Sequence, residues 1–106
     1  MYRFTWDPAK SDLNLVRRGF DFAQAADIFR GRTVEHEDVR RSYGEQRVVA
    51  VGVVDSMCLT VVYTDRLSGD ATERRIISAR FSNRQERRAY GKTGVLHGRE
   101  PAEGQD

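Results

Sequence analysis

Apolar and polar residues alternate over Tyr2–Trp6, so this stretch predicts a short strand with Tyr2, Phe4 and Trp6 on the side that joins the core. Asp7-Pro8 then reads as a helix start: Asp7 can cap the first free N–H groups, and Pro8 suits the first helical position, where a missing N–H is no loss. Gly19 ends this helix, in which Ala9, Leu13 and Val16 share one apolar stripe while Lys10, Arg17 and Arg18 lie elsewhere. A second helix follows Asp21, with Phe22, Ala25, Ala26 and Phe29 recurring at the spacing of a core-facing stripe until Gly31 stops it.

From Arg32 to Gln46 the pattern fades into acids, arginines, His36 and Gly44, which predicts a weak strand and a loop. Arg47–Val54 and Leu59–Tyr63 are valine-rich runs separated by Asp55-Ser56-Met57, two antiparallel strands joined by a tight turn. After a turn at Leu67–Asp70, Thr72–Arg80 completes a meander. Strict alternation there puts Arg74, Ile76, Ser78 and Arg80 on one face and Arg75, Ile77 and Ala79 on the other. Ser82 with Gln85 three residues later has the capping-box pattern of a last helix running to about Tyr90. That helix has no apolar stripe beyond Ala89 and Tyr90, so something other than the core gives it a purpose. The expected class is α+β: two N-terminal helices and a C-terminal helix around a small antiparallel sheet. Residues 1–91 are expected to form one domain, and 92–106, glycine-rich and holding Pro101, a disordered tail.

The length of 106 residues suits one core and is too short for two independent domains. The lone Cys58, within an apolar strand, excludes an internal disulfide and points to a reducing cytosol. No apolar run approaches the roughly 20 residues of a membrane span, and the first residues lack the order of a signal peptide, so the expectation is a soluble cytoplasmic protein.

Charge changes the picture more than composition does. Thr72–Lys92 holds seven basic residues (Arg74, Arg75, Arg80, Arg84, Arg87, Arg88, Lys92) against two acids (Glu73, Glu86), while the whole chain is only +2, so the remainder is net acidic. Sixteen of the 18 basic residues are Arg. Guanidinium is permanently charged and forks two hydrogen bonds onto phosphate oxygens, which suits it to holding a phosphodiester in one orientation. Arg84, Arg87 and Arg88 share one helix face at i, i+3 and i+4. The alternative is that this face is only solvated.

Six separated stretches stand in order along the chain: Phe4-x-Trp6-Asp7-Pro8-x-Lys10, Asn14-x-x-Arg17-Arg18-Gly19-x-x-Phe22-x-x-Ala25, Gly44-Glu45-x-Arg47, Val62-Tyr63-Thr64-x-Arg66, Arg75-Ile76-Ile77-Ser78-Ala79-Arg80 and Arg84-x-Glu86-Arg87-x-x-Tyr90. Together they resemble the BrnT family, the ribonuclease toxins of bacterial type II toxin–antitoxin pairs, which are similar in fold to RelE. Where the family usually reads Lys-His-Gly, this chain has Arg17-Arg18-Gly19, and Arg18 cannot shuttle protons. The resemblance implies RNA cleavage, a RelE-like fold, and inhibition by a BrnA-like antitoxin with a ribbon-helix-helix part, in a heterotetramer.

RNA cleavage without a metal needs an activated 2′-hydroxyl, charge stabilisation at phosphorus and a proton for the departing 5′-oxygen. Arg80, Arg84 and Arg75 are the candidates for the second task, although alternation faces Arg75 away from Arg80 unless the strand bulges. Glu45 as base and Tyr90 as acid, with Tyr63 behind them, are titratable groups on matching family positions. Each has a plainer reading: Glu45 as an ion pair with Arg47, Tyr63 as sheet packing, Tyr90 as a helix-end anchor. Arg17, Arg18, Arg47, Arg66, Arg87 and Arg88 are candidates for holding the RNA backbone. His36, Cys58 and His97 show no metal-ligand spacing, so no metal or other cofactor is expected. The reading from another class is a non-catalytic module that binds RNA or an acidic protein through the same basic surface.

Overall fold

The computed structural model describes residues 2–39, 42 and 44–95. Strand β1 (Tyr2–Trp6) leads into helix α1 (Pro8–Arg18), helix α2 (Phe22–Ala26) and a 3₁₀ turn (Asp27–Arg30). Strands β2 (Val34–Glu37), β3 (Val48–Val54), β4 (Met57–Ser68) and β5 (Ala71–Phe81) follow, then helix α3 (Arg84–Val95). The class is α+β, as the hydrophobic pattern predicts. The sheet, however, is mixed and not purely antiparallel: its order is β1-β5-β4-β3-β2, and β1 runs parallel to β5 with Phe4 beside Arg74 and Trp6 beside Ile76. Strands β2 to β5 form a meander of antiparallel pairs. Strand β1 is joined to that meander through the helices, so no tight turn dictates its direction.

The helix ends follow local chemistry. Asp7 accepts a hydrogen bond from the Ala9 N–H at 3.0 Å, Pro8 occupies the first turn, and Gly19 closes α1 with φ of 89°. A residue with a Cβ would be strained in that left-handed conformation. Asp21 and Gln24 form a reciprocal capping box at the start of α2. At the start of α3 the capping box is one residue later than the sequence suggests: Asn83 Oδ1 accepts from the Glu86 N–H and Glu86 Oε1 accepts from the Asn83 N–H, both at 2.8 Å. Ser82 instead turns inward to meet Thr60. Helix α3 also runs past Tyr90 to Val95, and the rest of the expected tail, His97 included, lies outside the described residues.

Helix α1 corrects a second expectation. Its buried residues are Ser11 and Asn14, while Ala9 is exposed and Leu13 and Val16 are 46% and 82% exposed. The cause is the buried turn into α2. Ser11 Oγ accepts from the Phe22 N–H at 3.0 Å, and Asn14 Nδ2 donates to the Phe20 carbonyl at 3.0 Å. Phe20 and Phe22 are themselves core residues, so their backbone groups need polar partners from the nearest helix.

The core lies between the α1/α2 layer and one face of the sheet, built from Phe20, Phe22, Ala25, Ile28, Ala50, Leu59, Val61, Tyr63, Ile76 and Ala79. Gly52 lets the 3₁₀ turn approach β3: a Cβ there would sit 2.8 Å from the Ile28 Cβ. Helix α3 lies on the opposite face, where Glu86 reaches Thr60 of β4 and the Tyr90 end meets Arg32 just before β2.

Between Val62 and Tyr63 the β4–β5 register slips, because Val62 pairs with Ser78 but Tyr63 pairs with Ile76. Ile77 is therefore an extra residue, a β-bulge that reverses the alternation of β5. Before it, Arg74 and Ile76 face the α1/α2 core; after it, Ala79 does so. The strict alternation expected over Thr72–Arg80 does not hold.

Candidate nucleic-acid interface

The bulge decides which arginines share a face. Cross-strand partners point to the same side of a sheet, and Arg75 pairs with Thr64, Ser78 with Val62 and Arg80 with Thr60. Thr60, Val62 and Thr64 alternate along β4, so Arg75, Ser78 and Arg80 all lie on the α3 side. Arg66, opposite Glu73, extends this face toward the β4–β5 turn.

Arg80 is held firmly. Its Nη1 and Nη2 donate to Glu86 Oε1 and Oε2, each at 2.8 Å. Glu86 also accepts from the Asn83 N–H at 2.8 Å and from Thr60 Oγ1 at 3.0 Å, and Thr60, fully buried, shares a 2.7 Å hydrogen bond with Ser82. The Arg80 guanidinium, against the opposing cost of burial and with help from the other donors, lowers the Glu86 pKa to about 2. Strand β4, the end of β5 and the start of α3 are thus tied at one polar joint that fixes where the Arg80 guanidinium sits.

Arg75, Arg66, Arg84 and Arg88 are exposed, and their side chains make no hydrogen bond or ion pair among the described residues. Arg84, Arg87 and Arg88 occupy the outer surface of α3, where Arg87 Nη1 donates to the Ser82 carbonyl at 2.7 Å. Arg47 pairs with Glu45 at 3.1 Å just before β3. Beside Glu45 lies an open depression of about 540 Å³ that also touches Glu37 and Asp38. Its lining offers carboxylates, of which Glu45 is already paired with Arg47, and no unpaired guanidinium, so an anionic strand is favoured over the arginine-bearing part of the face.

The remaining sequence candidates stand apart. Arg17 and Arg18 are on α1, in the layer across the sheet, where Arg18 donates to Asn14 at 3.0 Å. The edge-on contact of Phe20 with Phe81 still brings that end of α1 to the β5 end nearest α3. Tyr90 anchors its helix: its hydroxyl donates to the Arg32 carbonyl at 3.1 Å, Arg32 Nη2 donates back to the Tyr90 carbonyl, and the guanidinium lies 3.9 Å from the ring centre. Tyr63 faces the core, donating to Glu35 Oε1 at 2.8 Å, and burial followed by that hydrogen bond raises its pKa.

Arg74, counted in the basic stretch, is not at the surface. Its guanidinium forks onto Asp65 with both bonds at 2.8 Å and lies over the rings of Tyr63 and Tyr2. Burial opposes its charge, yet the Asp65 fork more than offsets this and its pKa is raised. Sequence reasoning missed Glu86 as the partner of Arg80. The spacing Arg80-x5-Glu86 across a strand end and a helix cap was the available signal, but it looked like one acid among arginines. Among the described residues no three His, Cys, Asp or Glu side chains gather as a metal-ligand group, and no helix is long and apolar enough to cross a membrane.

An α+β domain with a guanidinium-lined sheet face beside a basic helix defines a class of protein suited to holding phosphodiesters. The family model described as "Ribonuclease toxin, BrnT, of type II toxin-antitoxin system" matches residues 6–86, and the chain belongs to this BrnT family of ribonuclease toxins. The match spans Glu45, Arg75, Arg80 and Arg84 and ends at Glu86, before Arg87, Arg88 and Tyr90. No curated protein matches the chain.

Proposed function

We propose that this toxin is a metal-independent endoribonuclease that cleaves RNA through the strand's own 2′-hydroxyl, leaving a cyclic or 3′-phosphate end. The observation that carries this reading is the shared facing of Arg75 and Arg80 on one side of the sheet, produced by the bulge at Ile77, with Arg84 at the adjoining helix start. Fixed guanidinium groups stabilise the extra charge on the phosphoryl oxygens as the 2′-oxygen attacks, and a group already locked by Glu86 needs little reorganisation during the reaction. Arg66, Arg87, Arg88 and Arg47 hold flanking phosphates, and Arg17 and Arg18 extend the track around the end of β5. Glu45 and Tyr90 are engaged with Arg47 and Arg32, partners that each would have to exchange before acting as base or acid.

Residues 1–91 serve as one toxin domain of RelE-like kind in the cytoplasm. A BrnA-like ribbon-helix-helix antitoxin, in a heterotetramer, inhibits it by covering the 72–92 surface with an acidic and apolar segment. End-labelled RNA incubated in excess EDTA with the parent and with Arg80→Ala tests the reading. Cleavage by the parent and at least about 100-fold less by the variant are expected; equal cleavage by both would refute the site.

One observation favours a second reading, a module that binds RNA without cutting it. Arg80 is charge-paired, and the hydroxyl of Tyr90 and carboxylate of Glu45 are engaged. Salt-sensitive RNA retention with no cleavage would support this reading.

A further inference from the structure

We propose that His36 is the general base of the cleavage reaction, an inference that rests on the endoribonuclease reading above. In sequence His36 sits in a polar stretch with no visible relation to the arginines. The structure places it in β2, opposite Val49, which pairs with Val62, which in turn pairs with Ser78. These four positions form one row across the sheet on the face that carries Arg75 and Arg80. His36 ends the row at β2, and Ser78, between the two arginines, ends it at β5.

The row spans three strand spacings, about 14 Å. Val49 is buried and Val62 half-buried between the exposed ends of the row, so a phosphodiester and its ribose lie above them when an arginine leans in from β5 and an imidazole from β2. His36 is exposed, and its side chain makes no hydrogen bond or ion pair among the described residues. Its neighbours are Val34 on the same face of β2, Asp38 just past the end of that strand, and Val49 across from it, with the Arg47 backbone carbonyl accepting from the Asp38 N–H.

Among the described residues the other candidate proton carriers are engaged, Asp38 included. Glu86 accepts from Arg80, Thr60 and Asn83, and with a pKa of about 2 it is a weak base. Glu45 is paired with Arg47, and Glu73 accepts from Thr5 at 3.0 Å and Arg3 at 3.4 Å. The Tyr90 hydroxyl donates to the Arg32 carbonyl. Imidazole is the side chain whose ordinary titration lies nearest neutral pH, and its neutral form accepts a proton.

In the step, a ring nitrogen of His36 takes the proton of the 2′-hydroxyl as the 2′-oxygen bonds to phosphorus. The bond from phosphorus to the 5′-oxygen breaks, that oxygen takes a proton from water, and the 2′,3′-cyclic phosphate remains. The imidazolium then returns its proton to solvent.

The test compares the parent, His36→Ala, His36→Gln and Arg80→Ala on end-labelled RNA in EDTA, with thermal unfolding and RNA retention measured for each. The expected result is that both His36 variants fold and retain RNA as the parent does, cleave at least about 100-fold more slowly, and that added imidazole restores cleavage by His36→Ala. Cleavage by both His36 variants within about threefold of the parent, while Arg80→Ala is inactive, would overturn the assignment and leave the endoribonuclease reading intact. No cleavage by the parent would overturn both.

Discussion

The carboxylate of Glu86 meets the guanidinium of Arg80 end on, through two parallel hydrogen bonds of 2.8 Å, and so joins the end of β5 to the first turn of α3. The pair has a stability signature in acid. The Glu86 pKa is lowered to about 2 in the fold, so its contribution is complete above the ordinary carboxylate range and is lost as pH falls from about 4.5 to about 2. Because Arg80 is 43% exposed at its side chain, solvent screening limits the effect to roughly 1–2 kcal/mol. Urea midpoints measured from pH 6 to pH 2 should show a loss in the parent that is smaller in Glu86→Gln.

Arg75 and Arg84 should behave as surface phosphate ligands. Arg75→Ala and Arg84→Ala are each expected to leave the unfolding midpoint unchanged and to weaken RNA binding at low salt. Each should reduce the slope of log affinity against log salt by about 0.7, the value for one contact to a single strand. Fluorescence anisotropy with a labelled oligoribonucleotide at several salt concentrations checks this.

Arg74 should behave oppositely to its neighbour. Asp65→Ala leaves a buried guanidinium without its carboxylate and is expected to cost about 3 kcal/mol in denaturant unfolding. Where the variant is still folded, its affinity for RNA should match that of the parent.

Gly52→Ala places a methyl group 2.8 Å from the Ile28 Cβ and 3.2 Å from Thr33 Cγ2. The 3₁₀ turn must shift away from β3, with an expected loss of about 1–3 kcal/mol in urea unfolding.

Tyr90→Phe removes the hydrogen bond to the Arg32 carbonyl and is expected to cost about 1 kcal/mol. If the hydroxyl serves as an anchor, RNA cleavage by this variant stays within about threefold of the parent in a time course.

Much of the local structure was legible because its causes are local. Asp7, Pro8 and Gly19 bound α1, Asp21 caps α2, and the valine-rich runs became β3 and β4 with their tight turn at Asp55 and Ser56. The arginine excess of 72–92 and the separated motifs were also enough to indicate the family, since both reside in the order of residues.

Other features depend on what each residue meets across the fold. The apolar stripe of α1 faces outward because the backbone at Phe20 and Phe22 needed Asn14 and Ser11, a demand that no helical periodicity records. Strand β1 runs parallel because it joins the sheet beside β5, far from it in sequence. The two arginines with opposite expected facings share one side because Ile77 bulges, and pairing register belongs to two strands together. Arg74 and Arg75 are adjacent and chemically identical, yet Asp65 and the aromatic core take one while the open sheet face takes the other. The sequence alone determined the element types, the charge and the family; the tertiary structure decided which charges share a surface, because a side chain's facing is set by its partners in space.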